Sequence, residues 1–177
     1  MIIWFCALNL VTPVIPAASV PASNPNQQIL NQRTLVVDAN QPSYVRHAVE
    51  DLKACLKEIT AAELIVKTDL PRRSGPIIAI GPEIAGKILG LPLSTEKLGE
   101  EGFVLKSVIA DGRDCLVVSG AAPKGTKFAI YELMKRIQVE GRKAFLAGPV
   151  NLRSTPSFKL RGVHLNGWAF NRPYSFR

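Results

Sequence analysis

Histidine and cysteine are scarce in this sequence, with two and three residues among 177. None of them stands at metal-ligand spacing to another, so no metal site is expected. No serine elbow occurs, and no Cys–His–acid arrangement falls in a usable order, so nucleophilic hydrolysis of those kinds has no carrier. The loop Gly120-Ala121-Ala122-Pro123-Lys124-Gly125-Thr126 sits between a strand and a helix, as phosphate loops do. Its lysine precedes the glycine, however, and the Gly-Lys-Ser/Thr order that wraps a phosphate is missing. Capping of the helix is the expected role of Gly125-Thr126, and no cofactor is expected. Charge is absent from Met1 to Ala18, which carries no Asp, Glu, Lys or Arg. Pro13 and Pro16 break that run, which is too short for a spanning helix. Basic residues interleaved with aromatics are lacking too, so a nucleic-acid partner is not expected.

What is present is a globular composition of 47% hydrophobic and 20% charged residues, long enough for one ordinary domain. The net charge of +8 is dispersed, and its tight pairs are Arg72-Arg73, Lys135-Arg136 and Arg142-Lys143. A solvated basic surface accounts for it. The apolar start followed by Val20-Pro21-Ala22 reads as a secretory signal peptide cut after Ala22, hence an exported chain with no membrane contact once cut. Residues 23–33, rich in Pro, Asn, Gln and Ser, read as a linker. Cys6 would leave with the signal. Cys55 and Cys115 would remain, either as one disulfide or as two small core residues.

Periodicity then orders the elements. Thr34–Val37 reads as a strand. Asn40-Gln41-Pro42-Ser43 starts a helix with Ser43 as its cap, running to about Thr60. Val45, Ala48, Val49, Leu52, Cys55, Leu56 and Ile59 lie on one face of it. Strands are predicted at Leu64–Lys67 and Pro76–Ile80, and a short helix at Glu83–Leu89. Two further strands, Glu101–Ile109 and Asp114–Ser119, join at Asp111-Gly112, a hairpin signal. A second long helix runs from about Thr126 to Ile137, with Ile130, Leu133, Met134 and Ile137 in one stripe. The expected fold is therefore α/β (α+β): a two-layer domain over residues 34–138, with a mixed sheet of about five strands and two long helices on one face. Residues 139–157, with Gly141, Gly148, Pro149 and Pro156, read as an irregular linker. Phe158–Leu165 reads as a fresh strand, followed by Trp168, Phe170, Tyr174 and Phe176.

The acidic neighbours Glu50-Asp51, Glu100-Glu101 and Asp111 with Asp114 read as surface and turn residues. A glycosidic acid/base pair flanks its bond from different strand ends, at roughly 5 to 9 Å. His47 is a helix surface residue by pattern. His164 shares a strand face with Gly162 and Asn166, opposite Arg161.

Five stretches together resemble one known domain: Ala48-Val49-Glu50-Asp51-Leu52-Lys53, Pro76-Ile77-Ile78-Ala79-Ile80-Gly81, Glu101-Gly102-Phe103-Val104-Leu105, Leu116-Val117-Val118-Ser119-Gly120 and Gly125-Thr126-Lys127-Phe128-Ala129-Ile130-Tyr131-Glu132-Leu133. It is the N-terminal accessory domain of α-glucuronidases and β-N-acetylhexosaminidases. The resemblance implies a catalytic (β/α)8 barrel as partner, normally on the same chain, and a carbohydrate substrate. Phe158-Lys159-Leu160-Arg161-Gly162-Val163-His164-Leu165-Asn166 is similar to the first barrel strand of hexosaminidases, so residues 158–177 are expected to open that barrel. Arg161 would then reach sugar hydroxyls, with His164, Asn166 and Trp168 beside it; Asn166 stands where that family has Asp. The acid and nucleophile of such enzymes have no counterpart among these residues, so no catalytic residue is assigned. The expected function is the non-catalytic front domain of an exported glycoside hydrolase. The alternatives are a separate carbohydrate- or protein-binding module, using Trp168 and Tyr174 as stacking platforms, and a fragment without function.

Overall fold

The computed structural model describes residues 27–72 and 75–157. Two sheets and four helices make up this part. In chain order, the strands are β1 (Gln28–Ile29), β2 (Thr34–Val37), β3 (Val66–Lys67), β4 (Ile77–Ile80), β5 (Phe103–Ala110), β6 (Arg113–Gly120), β7 (Gln138–Glu140), β8 (Lys143–Leu146) and β9 (Asn151–Ser154). The helices are α1 (Ser43–Thr60), α2 (Pro82–Leu89), α3 (Thr95–Leu98) and α4 (Pro123–Arg136).

The main sheet has six strands in the order β3-β2-β4-β6-β5-β9. The first four are mutually parallel, and β5 runs antiparallel to both β6 and β9. Strand alternation divides its side chains between two faces. Leu35, Val37, Ile78, Ile80, Leu105, Leu116 and Val118 point to the face covered by α1 and α4, and form the main core with Val45, Leu52, Leu56, Ile130 and Leu133. Val36, Ile77, Ala79 and Cys115 point the other way and pack under Ile84 of α2. The two-layer α+β arrangement expected from the periodicity is thus present, with the short α2 covering part of the second face.

Three readings of the sequence need correction. The main sheet has a sixth strand, β9, inside the stretch read as an irregular linker over 139–157. That stretch also contains β7 and β8, which pair with β1 in a separate sheet of order β1-β8-β7. Ala144 and Leu146 of β8 are buried in the main core. The turn between β7 and β8 is two residues long, Gly141-Arg142, and Gly141 takes a positive φ of 58°. Glycine at the first turn position is the usual hairpin signal, and it was legible in the sequence. The described part of the supposed linker 23–33 is likewise structured. Leu30 is fully buried. Arg33, 3% exposed, donates to the carbonyls of Ile29 (3.0 Å) and Ile77 (3.2 Å) and pairs with Asp114. Finally, Pro42 rather than Ser43 is the cap of α1. Its carbonyl accepts the amides of Val45 and Arg46, and no side chain caps that end.

The Asp111-Gly112 hairpin is present as expected, with positive φ at both residues (51° and 69°) and Ala110 opposite Arg113. That is the two-residue turn whose twist suits paired strands. Cys55 and Cys115 are both free thiols. Cys115 lies on the α2 side of the sheet, whereas α1, which carries Cys55, packs on the other side. A disulfide between them would have to cross the sheet.

Candidate functional site

In open α/β sheets, ligands usually bind outside the carboxyl ends of the parallel strands, where the chain order reverses. Here that point lies between β2 and β4, since β3 flanks β2 on one side and β4 on the other. Asp38, the residue after β2, occupies it. One carboxylate oxygen accepts the Ile84 amide at 2.9 Å, the other the Glu83 amide at 2.9 Å. Asp38 thereby caps α2 from 45 residues away in sequence. Gly81 makes the approach feasible. Its φ is 112°, and a Cβ there would lie 2.3 Å from the Asp38 carboxylate. Burial pushes the Asp38 carboxyl above its ordinary value, and the two amides only partly offset it. The usual ligand crevice is filled by a structural cap.

The neighbouring end, after β6, is closed by backbone alone. A Cβ on Gly120 would lie 2.5 Å from the Gly125 backbone, and one on Gly125 would lie 2.1 Å from the Gly102 carbonyl oxygen. Three amides of this loop are engaged within the fold. Gly120 N–H donates to the Thr126 hydroxyl (3.1 Å), Gly125 N–H to the Glu100 carbonyl (3.0 Å) and Thr126 N–H to the Ala122 carbonyl (3.1 Å). Those three amides are therefore not available to a phosphate. Gly125 and Thr126 are not the cap expected of them: the cap residue is Ala122, and both lie inside the first turn of α4.

Four of the carboxylates weighed as acid/base candidates have a named structural partner. Glu50 pairs with Lys53 at 2.8 Å, Asp51 accepts the Tyr131 hydroxyl at 2.8 Å, and Glu100 lies 3.6 Å from Lys124. Asp114 holds Arg33, and Asp111 forms the hairpin turn. His47 is exposed on α1. Among the described residues no group of His, Cys, Asp and Glu is placed to hold a metal ion. Arg161, His164, Asn166 and Trp168, the sugar contacts implied by the resemblance, lie outside the described residues.

Among the surface grooves of the described residues, one beside α4 was passed over in the sequence reasoning. A groove of about 310 Å³ runs between α4 and the chain leaving β9. Phe103, Phe128, Tyr131, Glu132 and Ser154 to Ser157 are among its lining residues, and Phe103 and Tyr131 also pack against the main core. Phe128 is 40% exposed, with the Lys127 ammonium 6.0 Å from its ring centre. The recurrence of Phe128, Tyr131, Glu132 and Lys135 at helical spacing was the available signal.

Residues 18–133 match the family described as Glycosyl hydrolase family 67 N-terminus. The chain belongs to this family. Its members' description fits an accessory domain at the front of a glycoside hydrolase, as the five sequence stretches implied. No curated protein matches the chain. Solved structures similar to this family 67 N-terminal domain include a family GH115 4-O-methyl-α-glucuronidase with specificity for decorated arabinogalactans. It is 18% identical, covering 62% of this chain and 14% of that one, with a TM-score of 0.47. The chitobiase of Flavobacterium johnsoniae is 18% identical over 81% of this chain and 21% of its own, with a TM-score of 0.49. The protein CpGH84B is 16% identical over 78% and 21%, with a TM-score of 0.48. This chain spans 14% to 21% of the lengths of these proteins. Among the described residues no helix is long and apolar enough to cross a membrane.

Proposed function

We propose that this chain is the non-catalytic N-terminal domain of an exported glycoside hydrolase, and that it supports a catalytic (β/α)8 barrel that cuts the carbohydrate. The observation that carries this reading is the family membership over residues 18–133. The geometry supports it: the crevice at the carboxyl ends of the parallel strands is filled by the Asp38 cap, and Glu50, Asp51, Glu100 and Asp114 are engaged in structural contacts. In this reading residues 1–22 direct export, the barrel begins at about residue 158, and Arg161, His164, Asn166 and Trp168 meet sugar only when the barrel is complete.

The test is an assay of the 177-residue chain against chromogenic glucuronides and N-acetylhexosaminides. No turnover is expected. Hydrolysis that disappears when a carboxylate of this chain is replaced would overturn the non-catalytic reading. Export is tested separately, by fusing residues 1–22 to a reporter active only outside the cytoplasm. Reporter activity with cleavage after Ala22 is expected; a silent, uncut fusion would remove the signal-peptide assignment.

A further inference from the structure

The longer helices and α2 differ in how firmly they are held. Helix α1 buries Val45, Ala48, Val49, Leu52, Leu56 and Thr60 along its 18 residues, and α4 buries Gly125, Thr126, Ala129, Ile130 and Leu133 along its 14. Helix α2 has eight residues and buries two of them, Ile84 and Ala85. A helix that short does not hold itself together in water. Gly86 weakens it further, because glycine is the poorest helix former after proline. The space does not require a glycine there: a Cβ would stand 3.6 Å from the Pro92 backbone, an ordinary contact distance. Glycines of positive φ bound the helix at both ends, Gly81 at 112° and Gly90 at 70°.

Its first turn hangs on Asp38, whose carboxylate accepts the Glu83 and Ile84 amides at 2.9 Å each. Beneath it lie Val36, Ile77, Ala79 and Cys115 of the sheet. They form a smaller apolar cluster, distinct from the main core that α1 and α4 cover on the other face. Parting α2 from the sheet therefore leaves the main core whole, which is the condition for an opening smaller than full unfolding.

We propose that α2 is a cover latched by Asp38, which lifts from the sheet as a unit while the main core stays folded and bares the apolar face of Val36, Ile77, Ala79 and Cys115. Gly81 and Gly90 are its pivots. This opening is a property of the fold and stands apart from the function proposed above. Cys115 is its natural reporter. It is 1% exposed and packs with Ile84 and Ile88. Burial also pushes its thiol above the ordinary value, so the closed form offers little thiolate to a reagent.

Labelling of the full chain with N-ethylmaleimide, followed at Cys115 by mass spectrometry, tests it. Amide exchange at Leu133, buried in the main core, measures full unfolding in parallel. Cys115 labelling is expected to report an easier opening than Leu133 exchange, with a shallower dependence on urea. Asp38→Ala should speed the labelling about 30-fold, the effect of losing a strong helix cap. Gly86→Ala should slow it about 5-fold, by strengthening the closed helix. Ile130→Val, a change in the main core, should speed Leu133 exchange about 5-fold and leave Cys115 labelling as it was. Two results would overturn the proposal. One is a Cys115 that opens with the same free energy and urea slope as Leu133. The other is labelling that follows Ile130→Val and ignores Asp38→Ala and Gly86→Ala.

Discussion

The two sides of helix α4 obey different rules. Its inner side meets other backbone directly: Gly125 lies against Gly102 and Gly120, and Thr126, Ala129, Ile130 and Leu133 come next at positions where little or no surface is left. The outer side carries larger side chains, Phe128, Tyr131, Glu132 and Lys135, around a groove. At Gly125 a small residue is required because the neighbouring atoms are main chain and have no rotamers to yield. On the outer side size is tolerated: Phe128 is 40% exposed, while Tyr131 lays its ring against the main core and donates its hydroxyl to Asp51 at 2.8 Å. The first pattern marks a place where the fold is fixed. The second marks a place where a larger side chain is tolerated because solvent, not main chain, lies beyond it.

The severest test of this contrast is Gly125→Ala. The added carbon would lie 2.1 Å from the Gly102 carbonyl oxygen and 3.0 Å from the Gly120 Cα, so α4 or the β5 end must move. A loss of roughly 3 kcal/mol is expected, from overpacking against main chain. Chemical denaturation measures it. A midpoint equal to that of the unaltered chain would mean that α4 slides freely and that its inner side is not clamped.

Asp38 is the second clamp at the same end of the sheet, made by a side chain instead of by backbone. Asp38→Ala removes the acceptor of the Glu83 and Ile84 amides and is expected to cost about 2 kcal/mol, the upper range for a helix cap. The pH dependence sharpens the point. Burial holds the folded carboxyl above its ordinary value of 3.8, outweighing the two amides. The folded state therefore binds this proton more tightly than the unfolded chain does. That contribution is fully present below the unfolded value and is lost as pH rises through the folded one. Relative to Asp38→Asn, which cannot titrate, the unaltered chain should gain stability as pH falls from about 7 toward about 4. If it lost stability over that range, the amides would dominate over burial, and Asp38 would be a charged cap of the ordinary kind.

Most of the framework was legible because it repeats. The stripe from Val45 to Ile59 announced α1, the run Pro76–Ile80 announced β4, and Asp111-Gly112 announced its hairpin. The elements that escaped are those whose order comes from their partners. Asn151-Leu152-Arg153-Ser154 has a single apolar residue, and it is a strand because β5 offers it a free edge. Gln138–Glu140 is exposed throughout and is ordered by β8. Contacts across long sequence separations were invisible for a similar reason. Nothing near Asp38 says that it caps a helix starting at Pro82, and the glycines at 102, 120 and 125 do not declare in sequence that they meet. The groove was half legible. The spacing of Phe128, Tyr131 and Lys135 could be read, but not that the chain departs beside them.

Phe128→Ala carries the smallest expected effect on the fold, and for that reason it separates the two sides of α4 most cleanly. The side chain is 40% exposed, so its removal forfeits only part of a buried ring, and alanine is the better helix former. A stability change of about 1 kcal/mol or less is expected, set against the roughly 3 kcal/mol of Gly125→Ala three residues earlier. A Phe128→Ala protein as destabilised as the glycine variant would show that the Phe128 ring belongs to the core, and the distinction between a clamped side and a tolerant side of α4 would fail.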